Sequence, residues 1–150
     1  MKVVIQRVKS SKVEVNNKVI GQIDLGILVL VGIALNDEKI DAEWISNKVL
    51  NLRIFDDENG IMNKSLIDVG GGILVISQFT LIASTKKGNR PSYINSAGHE
   101  IAIPLYEYFI KICEEKLGRE VSSGEFGADM KVSLINDGPV TIVIDSKLKD

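Results

Sequence analysis

The chain has one cysteine, Cys113, and one histidine, His99. A single thiol allows no disulfide within the chain and no multi-thiolate zinc site. A single imidazole confines any Ser–His–Asp or Cys–His mechanism to His99 and excludes a multi-histidine metal site inside one chain. Aromatic residues make up only 5%, which leaves few stacking platforms for single-stranded RNA. Long apolar runs are missing too. None reaches the ~20 residues of a membrane span, and Gln6 and Arg7 break the first run too early for a signal peptide. The expectation is a cytoplasmic protein with no membrane partner. Neither sign of charge dominates: 18 basic and 20 acidic residues give a net charge of -2. That balance argues against a basic nucleic-acid coat but leaves room for a local basic patch. What is present is ordinary globular composition, with 45% hydrophobic and 25% charged residues in a chain of 150. The length predicts one domain over residues 1–150, large enough to bury a core without staples.

Alternation of apolar residues predicts a first strand through Val3 to Val8. Residues 12–23 read as a hairpin around Asn16-Asn17. Leu25 to Leu35 is apolar nearly throughout, and its Val/Ile content and two glycines favour a strand buried on both faces. A helix follows, capped by Asp37 or Asp41, with Ile40, Trp44, Ile45, Val49 and Leu52 on one face and Trp44 as core. Leu52 to Phe55 reads as a short strand. The acidic turn Asp56 to Gly60 lacks the full calcium-loop pattern and reads as solvated. Residues 73–82 predict a strand with polar residues at its centre. A second helix runs from about Glu100 to Leu117 and ends at Gly118; Pro104 is best tolerated in a first turn, which favours a later start. Lys131 to Ile135 and Val140 to Ile144 read as two strands around Asn136-Asp137-Gly138-Pro139. About seven strands and two main helices predict an α+β fold, a mostly antiparallel or mixed, barrel-like sheet.

Several features invite chemistry. Gly70-Gly71-Gly72 precedes a strand rather than opening a helix, which weakens a phosphate-loop reading. His99 reads as an exposed residue at a helix start, and Cys113 as an inert core thiol. Ser77-Gln78-Phe79-Thr80 is a stronger candidate, because polar groups interrupting a strand are costly unless paired. The alternative is a strand emerging into solvent. In Gly138-Pro139, proline removes a donor where a returning strand should begin. An X–Pro bond is cis at a cost of only ~0.5–1 kcal/mol, and a cis turn would aim two successive carbonyls to one side. An ordinary trans turn is the alternative.

These segments carry a resemblance. Val4-Ile5-Gln6-Arg7-Val8, Ser77-Gln78-Phe79-Thr80-Leu81, Lys86-Lys87-Gly88-Asn89-Arg90-Pro91, Phe126-Gly127-Ala128 with Met130, and Asn136-Asp137-Gly138-Pro139-Val140-Thr141 together resemble the D-aminoacyl-tRNA deacylases over nearly the whole chain. The resemblance implies hydrolysis of the ester between a D-amino acid, or glycine, and the terminal adenosine of tRNA. It implies a homodimer with composite sites: Ser77, Gln78, Phe79 and Thr80 of one subunit facing a Gly138–Pro139 turn, with a cis bond, from the other. Arg7 looks like the residue that holds that turn, and Phe126 and Met130 resemble residues near the adenosine. No cofactor, no metal and no DNA partner are implied.

Thr80 is the obvious nucleophile by type, yet no base accompanies it in the motif. The reading favoured here is a pocket that positions ester and water, assisted by the substrate's own 2′-hydroxyl and by main-chain donors at Phe79–Thr80. Exclusion of one face of the α-carbon by Gly138–Pro139 would reject L side chains and pass glycine. Lys86, Lys87 and Arg90 are the candidates for tRNA phosphates. A non-catalytic module for the RNA 3′ end and a purely structural dimer are the alternatives.

Overall fold

The computed structural model describes residues 1–149. Strand β1 (Lys2–Val15) is the hub. On one edge it pairs antiparallel with β2 (Lys18–Ile23) and β3 (Gly26–Gly32); on the other it pairs antiparallel with β8 (Lys131–Asp145). Asn16 and Asn17 both have positive φ, 51° and 62°, the conformation a two-residue hairpin turn requires. β3 continues in parallel to β6 (Gly72–Ser77), and β6 to the short β7 (Ser122–Ser123). The Ser122 hydroxyl donates to the Gln22 carbonyl at 3.2 Å, so β7 returns toward β2 and the mixed sheet nearly closes. A separate two-stranded ribbon joins β4 (Phe55–Asp56) and β5 (Met62–Lys64).

The centre of the sheet, around β3 and β6, is buried on both faces. Val3, Ile5, Val29 and Val75 pack against α1 (Lys39–Asn51) and α3 (His99–Leu117), whereas Val8, Val13, Leu28, Leu74 and Ile76 form a second cluster. This is why residues 25–35 are apolar almost without interruption: alternate side chains of β3 serve alternate cores. The cleft described below opens between these two clusters.

The structure corrects several expectations. Glu38, not Asp37 or Asp41, is the N-cap of α1, and its N–H donates to Asp41 at 2.8 Å. The helix buries Ala42, Ile45 and Val49 and leaves Ile40, on its opposite side, 68% exposed. Trp44 is half-buried against the core, as expected. Asp41 instead receives the Ser146 hydroxyl and the Lys147 ammonium; burial alone would raise its pKa, but these hydrogen bonds outweigh burial and lower it to about 2. α3 starts at His99, so Pro104 lies beyond its first turn rather than within it. A short helix, α2 (Leu66–Val69), was not foreseen. The glycines after it serve packing: Gly70 is its left-handed C-cap, and a Cβ on Gly26 would lie 2.0 Å from the Gly72 carbonyl oxygen. β6 ends at Ser77, and Phe79–Ile82 forms a single 3₁₀ turn instead of continuing the strand. The acidic turn is closed by its own backbone, with Asp57 accepting from the Asn59 and Ile61 N–H groups.

The largest correction concerns the C-terminal strands. They are not a hairpin. Residues on both sides of Asp137–Val140 belong to β8 and pair with the same strand: Asn136 lies opposite Val8 and Thr141 opposite Gln6. Residues 137–140 therefore stand out from the sheet opposite a single β1 residue, Arg7.

Candidate active site

The end of β6, the 3₁₀ turn, the start of α3 and the segment 124–130 surround a cleft of about 640 Å³. Ser77, Gln78 and Phe79 line one side, and Phe126 and Met130 another. Valine and isoleucine side chains from β3 and β6 form its apolar floor. Three of the expected residues thus meet two others in one place although up to ~50 residues separate them in the chain, a joining that only tertiary structure achieves.

Thr80 sits just outside this lining, exposed on the 3₁₀ turn. Its hydroxyl oxygen accepts a hydrogen bond from the Gln78 side-chain amide at 2.6 Å. An amide N–H cannot remove a proton, so this contact orients the hydroxyl without activating it. Among the described residues, neither the Phe79 N–H nor the Thr80 N–H meets an acceptor. The first turn of any helix leaves such donors free, here beside the cleft.

An aromatic chain stiffens the opposite wall. Tyr106, almost fully buried, donates its hydroxyl to the Val75 carbonyl at 3.0 Å. Burial pushes that phenol well above its ordinary pKa, so it remains a donor. Its ring meets Phe126 edge-to-face at 5.7 Å, and Phe126 meets His99 in the same way at 5.5 Å. Tyr93 also lines the cleft, with its ring 4.9 Å from that of Phe79. Tyr93 was missed in the sequence; a lone aromatic directly after the polar, basic segment 84–92 was the available signal. His99 is exposed at the helix start, as expected, but it faces the cleft as well. Cys113 is buried, and burial pushes its thiol up to about 12, consistent with an inert core residue.

Gly138 and Pro139 are exposed and do not line the cleft of their own chain. Their peptide bond is cis. Arg7 lies beneath them, only 8% exposed. Its Nε donates to the Asp137 carbonyl at 2.9 Å, and its Nη1 to the Ile54 carbonyl at 2.7 Å and to Asp56 at 3.3 Å. Asn136 accepts from the Val140 N–H at 3.0 Å and donates to the Thr141 hydroxyl at 3.0 Å. The turn is therefore clamped at its base while its tip projects outward.

Lys86, Lys87 and Arg90 are exposed on a loop closed by the reciprocal Ser84–Ser92 backbone pair at 2.8 and 2.9 Å. Among the described residues they make no ion pair. Lys86 also borders a second cleft of about 410 Å³, together with Lys2 and Lys147.

The family model for D-Tyr-tRNA(Tyr) deacylase matches residues 4–145. The chain belongs to this family. It is 58% identical over its whole length, and over the whole of the relative, to a D-aminoacyl-tRNA deacylase of Flavobacterium psychrophilum. It is 61% identical to one of Clostridium tetani, covering 98% of each chain. Among solved structures it resembles the c-Myc DNA unwinding element binding protein, with a TM-score of 0.92 and 40% identity over 97% of this chain and 98% of that one. A probable eukaryotic D-amino acid tRNA deacylase superposes with a TM-score of 0.83 over 95% of this chain and 97% of that one; at 17% identity that likeness speaks for the fold alone. The deacylase family thus spans both the strand that ends in Ser77 and the turn at Gly138–Pro139.

Proposed function

We propose that the chain hydrolyses the ester joining a D-amino acid to the terminal adenosine of tRNA, releasing free D-amino acid and tRNA. Glycine, having no side chain to exclude, is removed from mischarged tRNA in the same way. The observation that carries this reading is the full-length identity to relatives named D-aminoacyl-tRNA deacylase. A tRNA substrate suits a cytoplasmic enzyme.

In this mechanism water adds to the ester carbon, the bond from that carbon to the ribose oxygen breaks, and the ribose oxygen takes a proton. Ser77, Gln78, Phe79 and Thr80 position the ester. The free N–H groups of Phe79 and Thr80 supply donors for the developing oxyanion. The neighbouring ribose 2′-hydroxyl orients the water, so no side-chain base is required. Phe126 and Met130 pack against the adenosine. Lys86, Lys87 and Arg90 meet acceptor-stem phosphates as a local patch on an otherwise acidic chain. No step calls on a cofactor or a metal.

The working unit in this reading is a homodimer in which each cleft receives Gly138 and Pro139 of a second copy. Two observations support it. The clamped turn projects away from its own cleft, and β8 leaves Leu134, Ile135 and Val143 exposed beside it. Chirality is then filtered by exclusion, because contacts to an ammonium shared by both enantiomers cannot separate them.

Hydrolysis of matched D-, L- and glycyl-tRNA tests the function: D and glycyl esters are cleaved and L esters spared. Binding of all three without release of amino acid would instead indicate the non-catalytic RNA module. Thr80→Ala is expected to retain activity, losing about 1–3 kcal/mol of transition-state stabilisation, the size of one lost hydrogen bond. A loss of about 10⁵-fold, or a trapped acyl-threonine, would make Thr80 the nucleophile.

A further inference from the structure

We propose that Asn136 is a positioning residue of this deacylase: its side-chain amide fixes Val140, and through Val140 it sets where Gly138 and Pro139 stand. This inference rests on the reading above, in which the projecting turn takes part in a site. Arg7 secures the turn where it leaves β8, at the Asp137 carbonyl. The end where it returns needs a support of its own. The pairing of β8 with β1 passes from Asn136 opposite Val8 to Thr141 opposite Gln6, so Val140 has no partner in the ladder. Its N–H donates instead to Asn136 Oδ1 at 3.0 Å. The side chain therefore takes the place of a sheet carbonyl and draws the two ends of the segment together. Val140 is a firm anchor, since its side chain packs against the main core cluster.

The Asn136 amide fits only one way round. A main-chain N–H needs the carbonyl oxygen, which turns Nδ2 toward Thr141, and Nδ2 donates to the Thr141 hydroxyl oxygen at 3.0 Å. The Gln6 amide donates to the same oxygen at 3.3 Å. Side chains of β1 and β8 thus orient Asn136 from the paired part of the sheet. The effect reaches the tip through Val140. A Cβ on Gly138 would lie 2.8 Å from Val140 Cγ2 and 3.1 Å from Arg7 Nη2, so Gly138 rests against both. Arg7 is one support, and Asn136 holds the other. The two are not interchangeable, because Arg7 donates to a carbonyl and Asn136 accepts from an N–H. Asn136 does not line the cleft of its own chain, so it acts by placing the turn.

The test is steady-state hydrolysis of matched D- and L-aminoacyl-tRNA by the full chain and by Asn136→Ala, Asn136→Asp, Thr141→Val and the Asn136→Ala/Thr141→Val pair, with urea unfolding as the measure of the fold. Asn136→Ala should lower kcat for the D ester about tenfold to a hundredfold, change KM less than about threefold and reduce the D-to-L rate ratio about tenfold, because a loosened positioning element is felt in the transition state. Asn136→Asp keeps an acceptor for the Val140 N–H, and the Thr141 hydroxyl can turn to donate to it, so kcat and the ratio should return to within about threefold of the parent. Thr141→Val should cost less than Asn136→Ala and add almost nothing to it, since the two act through one contact. Parent values of kcat and of the ratio in Asn136→Ala would overturn the proposal even if stability fell, and so would an Asn136→Asp as impaired as the alanine variant. Gly138→Ala in the same series separates the proposal from the reading beneath it. Gly138→Ala and Asn136→Ala both at parent values would remove the turn from the chemistry altogether. An impaired Gly138→Ala beside an unimpaired Asn136→Ala would overturn the role of Asn136 alone. A parent protein that cleaves no D ester would overturn the tRNA-ester reading and this proposal with it.

Discussion

Replacing Arg7 by alanine is expected to slow D-aminoacyl-tRNA hydrolysis by about 10²-fold or more and to lower the unfolding free energy by about 2–4 kcal/mol. The guanidinium is nearly buried and ties three things together: the Asp137 carbonyl at the base of the projecting turn, the Ile54 carbonyl before β4, and the Asp56 carboxylate. Alanine leaves two carbonyls without their charged donor and fills none of the vacated space. The turn then loses its clamp, and displacement of a positioning element by about 1 Å is enough to cost 10²-fold in rate. Arg7→Lys is the sharper variant. Lysine keeps the charge but not the planar fork that reaches several acceptors at once, so part of the stability should return while the rate stays low. Urea unfolding and single-turnover kinetics on the same preparations separate the two effects. A wild-type rate in Arg7→Ala would remove the clamp from the mechanism.

Gly138→Ala is expected to abolish most activity while sparing the fold. Gly138 has φ of 137°, a region that side-chain-bearing residues rarely adopt. A Cβ there would lie 2.8 Å from Val140 Cγ2, 3.0 Å from the Val140 main-chain nitrogen and 3.1 Å from Arg7 Nη2. The valine methyl can rotate away, but the backbone nitrogen cannot. The turn must shift, at about 1–3 kcal/mol, while the paired residues of β8 on either side keep their register. Hydrolysis should fall about 10²-fold and discrimination against the L ester should weaken. Mixing then tests whether sites are shared between copies. Ala128→Trp should block the cleft that Ala128 lines. If each site takes its turn from the other copy, random exchange between the two inactive variants makes half the dimers hybrid, each with one intact site. About a quarter of wild-type activity should return. No recovery, with exchange verified by mass, would mean that each chain works alone.

What the sequence disclosed divides along the range of the interactions involved. The Asn16-Asn17 hairpin, the doubly buried β3 and the span of α3 follow from local periodicity and turn chemistry, and they stand as expected. α2 did not show, because four residues are too few to display a helical period. Ile40 falls on the wrong face because, at about 100° per residue, it lies roughly 140° from Ile45 and about 180° from Val49, across the helix from the buried stripe. β8 was misread for a different reason. Asp137-Gly138 is a true turn signal, but whether the flanking segments pair with each other or with a third strand is decided by β1, some 130 residues away in the chain. At the site, the gathering of Ser77 with Phe126 and Met130 followed from family resemblance rather than from spacing. His99 was read as a helix-start residue, which it is; that this helix start opens on the cleft depends on how α3 docks against the sheet.

The way β8 accommodates residues 137–140 separates two quantities that sheet proteins ordinarily change together. Both flanks are bound independently to β1, so adding or deleting residues in this segment turns no core side chain outward, as a slip within a continuous ladder would. Length here is free to drift while the barrel stays in frame. How far the turn stands out from the sheet is therefore a variable in its own right, adjusted by counting residues rather than by exchanging side chains.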